Sequence, residues 1–75
     1  MTRKQIEKLL EPYLFSQDGR TCLKADKAEE VRELVTNTFS GVYVIIEDSP
    51  YGGEVIKIGN LIRKVSKPLV TYDLK

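Results

Sequence analysis

Between residues 42 and 72 the apolar side chains return largely at every second position, and nothing constrains the fold of this chain more. A period of two is that of a pleated strand with one face turned to a core. Val42, Val44 and Ile46 fall on one side and Tyr43, Ile45 and Glu47 on the other, in a run β-branched enough to predict a central strand. Residues 54–58 and 61–65 flank Gly59-Asn60, a pair suited to a tight hairpin turn. That register sets Lys57 opposite Ile62, Arg63 opposite Ile56 and Lys64 opposite Val55. Pro68 breaks the run, after which Val70, Tyr72 and Leu74 share a side.

The front half follows a helical period. Ile6, Leu9, Leu10 and Tyr13 form one stripe, and Thr2 with Gln5 fits a reciprocal cap for a helix over residues 2–10. Pro12 ends or kinks that helix. Residues 13–24 admit two readings. In one, Asp18-Gly19 is a hairpin turn that pairs Ser16 with Thr21, Phe15 with Cys22 and Leu14 with Leu23. In the other, the helix runs through a kink to about Ser16 and Gly19 ends it. The continuing stripe at Tyr13 and Leu14 tilts the choice to the second. Residues 26–39 read as another helix, with Asp26 and Glu29 as a capping pair and Ala28, Val31, Leu34, Val35 and Phe39 on one face.

With 75 residues there is room for one domain with a thin core. The expectation is an α+β fold in which two helices pack on one curled, mainly antiparallel sheet of four to five strands. Its order is helix, strand, helix, then three or four strands.

The chain holds no histidine and one cysteine, Cys22, which removes most familiar acid–base, nucleophilic and transition-metal sites. A lone thiol without a disulfide framework points to the cytosol, and no apolar run approaches a membrane span. Twelve basic residues against eleven acidic give a formal charge of +1, without the excess expected of a duplex-DNA binder. No phosphate-loop or dinucleotide fingerprint is present, and Gly52-Gly53 reads as a turn. Glu47, Asp48 and Glu54 could meet around a hard cation, but read more simply as solvated strand ends. Cys22 reads as a small core residue. No catalytic residue, metal, cofactor or small-molecule substrate is evident.

Recognition is the remaining chemistry. The connector Ser49-Pro50-Tyr51-Gly52-Gly53 restricts one end with proline, frees the other with glycine and sets Tyr51 at its tip. Tyr51 either projects as an interface anchor or folds back over the sheet edge as a cover. Followed by Glu54-Val55-Ile56-Lys57-Ile58, this stretch resembles slightly the hairpin of FeoA-type domains, small SH3-like barrels that assist ferrous-iron transporters through protein contacts. The leading helix and the Asp18-Gly19 segment depart from that family's start, and no membership is drawn from the likeness.

The expected function is therefore that of a non-enzymatic accessory or regulatory domain. It binds a protein, a second copy of itself included, through Tyr43, Ile45, Pro50, Tyr51, Gly52 and Gly53, or by strand addition at an open edge. The alternative is weak nucleic-acid binding through Lys57, Arg63, Lys64 and Lys67.

Overall fold

Thr2 opens the first helix as its residue type suggests. Its hydroxyl accepts from the Gln5 backbone N–H at 3.2 Å, while the Gln5 side chain accepts from the Thr2 N–H at 2.8 Å. In this computed structural model, which describes residues 1–62, 64, 65 and 67–75 and the side chains of all but 62, 64 and 65, α1 spans Arg3–Leu10 and buries Ile6 and Leu10. Pro12 then sits in a single 3₁₀ turn, Glu11–Tyr13, and the chain leaves it extended at Leu14.

The helix does not continue to Ser16. Leu14–Gln17 (β1) and Arg20–Leu23 (β2) form a hairpin, in the register that the Asp18-Gly19 reading predicts. Asp18 and Gly19 both take positive φ, 53° and 76°, the twist that lets two residues join antiparallel strands. Turn chemistry thus overrides the helical stripe: Tyr13 and Leu14 do pack on the core, but from the 3₁₀ turn and from β1.

The second helix also starts later than its acids suggest. Residues Ala25–Lys27 make a 3₁₀ turn and α2 spans Ala28–Thr38, with Lys27 at the cap position and no side-chain cap. Asp26 lies inside the turn and does not cap; Glu29 and Glu30 occupy the first helical turn, where the dipole favours them. Ala28, Val31 and Val35 are buried, with Leu34 and Phe39 packed at the margin.

Three further strands complete the sheet: β3 (Val42–Asp48), β4 (Glu54–Ile62) and, after the two-residue β5 (Lys64–Val65) that pairs back on β4, β6 (Val70–Leu74). The order is β1-β2-β6-β4-β3, open rather than closed into a barrel, and antiparallel except where β6 lies parallel to β2.

Two expectations are corrected here. Gly59-Asn60 is not a turn: β4 runs straight through it, with Gly59 opposite Tyr43 and Asn60 opposite Val42. Lys57 accordingly faces Ile45 and Thr71, not Ile62, while Ile56 faces Ile46 and Tyr72, and Val55 faces Glu47 and Asp73. Nor is β3 central. It forms one edge of the sheet, and the centre falls to β4 and β6.

One core joins both helices to one face of the sheet. Ile6, Leu10, Val31 and Val35 meet Leu23, Ile56, Ile58, Val70, Tyr72 and Leu74. Among the described residues no helix is long and apolar enough to cross a membrane.

Candidate functional site

Since both helices lie on one face, alternation delivers the opposite set of side chains to an uncovered surface. Three rows cross it. Phe15, Cys22, Asp73, Val55 and Glu47 form the first; Thr71, Lys57 and Ile45 the second; Gly59 and Tyr43 the third, with Leu61 continuing beyond Gly59 along β4.

Charges on this face are paired within it. Arg20 meets Asp73 at 2.6 Å, and Lys57 meets Glu47. These ion pairs are partly exposed, so each stabilises the fold by no more than about 1 kcal/mol, but together they balance the Arg20, Asp73, Lys57 and Glu47 charges of the face. Between and beside them lie apolar groups. Ile45 is 40 % exposed and Leu61 59 % exposed, while Tyr43 is half-buried against Gly59. Cys22 and Val55 lie in the first row yet are buried, which makes Cys22 a packing residue as its neighbours in sequence suggest.

The connector between β3 and β4 adjoins one end of this face. The Ser49 N–H donates to the Gly53 carbonyl at 2.8 Å, the Gly52 N–H donates to the Ser49 carbonyl at 3.1 Å, and the Tyr51 N–H donates to the Ser49 hydroxyl at 3.2 Å. Gly52 and Gly53 hold φ of 97° and 73°, a region other residues rarely adopt. The loop so fixed leaves Tyr51 86 % exposed, with the Arg20 guanidinium 5.9 Å from its ring centroid. Tyr51 does not fold down as a cover. Through Arg20 it stands beside the Asp73 row, so the loop and the open face form one continuous surface.

The basic cluster does not assemble in this way. Lys57 is engaged by Glu47 and Lys67 is exposed at the start of the last segment. Arg63 and the Lys64 side chain lie outside the described residues. Among the described residues no three acidic or cysteine side chains converge as metal ligands, and Asp48 and Glu54 are simply the last cross-strand pair before the loop.

Leu61 and Arg20 belong to the surface although the sequence did not single them out. The signal was present in the parity of β4, where 55, 57, 59 and 61 share a side, but the supposed turn at Gly59-Asn60 concealed it. The chain matches no protein-family model, no curated protein and no solved structure.

Proposed function

We propose that this chain is a non-enzymatic interaction domain that docks a partner protein on its open sheet face, with Tyr51 as the anchor at the rim. The observation that carries the reading is the exposure of Ile45, Leu61 and Tyr51 around a face on which Arg20 is paired with Asp73 and Lys57 with Glu47. Paired charges cost less to desolvate than lone ones, and a rigid tyrosine adds contact area with little loss of entropy.

The face is favoured over the edge as the docking route. Leu61 N–H bonds to Gly41 O, so by alternation the carbonyls of 42, 44 and 46 point away from β4, and the Val44 carbonyl already accepts from Arg32. A cytosolic location accompanies this reading, on the strength of the single unpaired thiol.

Ile45→Glu and Tyr51→Ala test it. Expressed in its own host, the unchanged chain is expected to elute above its monomer mass or with a discrete partner, and each substitution to abolish that association. A monomer that retains nothing, or variants that retain the same partner, contradict the proposal.

A further inference from the structure

The helix side of the sheet carries a second feature. Arg3, Lys4, Glu7, Lys8 and Glu11 line up along one flank of α1, and across from them stand Leu14, Thr21, Val70 and Tyr72. Between the two walls lies a cleft of about 690 Å³, within the range that small molecules occupy.

Its polar groups are not self-sufficient. Tyr72 is 5 % exposed, and its hydroxyl is buried without a hydrogen-bond partner among the described residues. A buried hydroxyl left in that state is costly, so native structures rarely keep one without an occupant to satisfy it. Tyr72 lines the same cleft as Arg3 and Glu7. Arg3 Nε holds Glu7 at 2.7 Å, but neither Lys4 nor Lys8 has an ion-pair partner among the described residues. Lys4 and Lys8 are one helical turn apart, so both ammonium groups serve the same flank.

We infer that this cleft binds a small organic anion, a carboxylate or phosphate joined to an apolar body, with Lys4, Lys8 and the Tyr72 hydroxyl on the anion and Leu14 and Val70 against the body. Tyr72 remains protonated at every physiological pH, since burial pushes it up to about 12, and it is therefore a donor. Three cations and two carboxylates share the α1 flank of the cleft, and Glu7 is already held by Arg3. The side chains of Arg3 and Glu7 are exposed on α1, so they can swing aside to let an anion held by Lys4 and Lys8 reach the hydroxyl. This site is independent of the open face.

The test is an amide-shift titration of the full chain with phenyl phosphate and with benzoate, beside neutral benzyl alcohol. The expected result is saturable shifts confined to α1, Thr21 and residues 70–72 with at least one of the two anions. Saturation by phenyl phosphate alone assigns the phosphate class, and by benzoate alone the carboxylate class. Tyr72→Phe, which removes only the orphan oxygen, and Lys8→Gln, on the exposed flank, should each weaken that binding about ten-fold or more. No saturation with either anion, equal binding of benzyl alcohol, or unchanged binding in Tyr72→Phe would overturn the inference.

Discussion

The ring of Tyr43 lies across Gly59, its cross-strand partner, so closely that a methyl group placed on Gly59 would stand 2.6 Å from the ring. An aromatic laid over a strand glycine covers backbone that the glycine leaves bare, which is why a glycine is tolerated inside β4.

Gly59→Ala should therefore displace the Tyr43 ring rather than strain the backbone. The atoms in the way are the ring tip, which can swing outward, so the expected cost is about 1 kcal/mol, or roughly 4–8 °C in Tm. The ring-current shift of the Gly59 α-protons should vanish in Tyr43→Ala, and the Tyr43 ring protons should shift in Gly59→Ala. Unaltered Gly59 shifts in the first and unaltered Tyr43 ring shifts in the second would remove the contact from the account.

Arg32 guards the open edge. Its guanidinium donates to the Val44 carbonyl at 3.0 Å while Glu29 lies 3.6 Å from its Nε. Arg32→Ala should lower stability by about 1 kcal/mol and free β3 for pairing with another chain. Sedimentation of the variant should show association rising with concentration beyond that of the parent. Identical sedimentation would mean that the edge is protected by something else.

Burial, reinforced by the Glu7 carboxylate and opposed by Arg3, pushes the Tyr72 phenol up to about 12 from its ordinary 10. The folded chain keeps this proton where the unfolded chain has lost it. The stability so contributed is whole below pH 10 and disappears as pH rises towards 12. Arg3, Lys4, Glu7, Lys8 and Glu11 all line the cleft beside it, so the effect is read as a difference. Tyr72→Phe should match or exceed the parent in stability at neutral pH, and its advantage should grow by about 2–3 kcal/mol across that alkaline window. Parallel stability curves would contradict it.

The hairpin turn gives a local check. Gly19 sits at φ 76° with open space around it, so Gly19→Val is penalised by backbone conformation alone. The expected loss is about 1–2 kcal/mol, with the Leu14–Leu23 and Phe15–Cys22 pairings retained in amide-proton contacts. A loss of the pairings themselves would show that the register depends on the turn more than on the core.

Much of this architecture was legible in the chain. The Thr2–Gln5 cap, the buried face of α2 and the inward set Val70, Tyr72 and Leu74 all follow from local rules, because each depends on residues near one another. The errors share a physical cause. Tyr13 and Leu14 suit a helical stripe and a short strand alike, and only the pairing of β2 with β6, fifty residues apart, gives the hairpin a sheet to join. Gly59-Asn60 has the composition of a turn, but the complementary length of β3 and the Tyr43 ring keep it extended. Edge and centre were indistinguishable because an edge strand shielded by a helix needs the same apolar alternation as a central one. For the surface, Tyr51 and Ile45 could be chosen from type and position; the pairing of Arg20 with Asp73 and the gathering of α1 against Tyr72 could not, since both join residues more than fifty positions apart.

The most direct measurement is site-specific photo-crosslinking in the native host, with a benzophenone side chain placed at position 45 on the open face or at position 33 on the outer side of α2. Docking on the open face predicts a discrete adduct from position 45, lost when Tyr51 is also replaced by alanine, and none from position 33. Adducts from position 33 alone, or the same products from both, would contradict it.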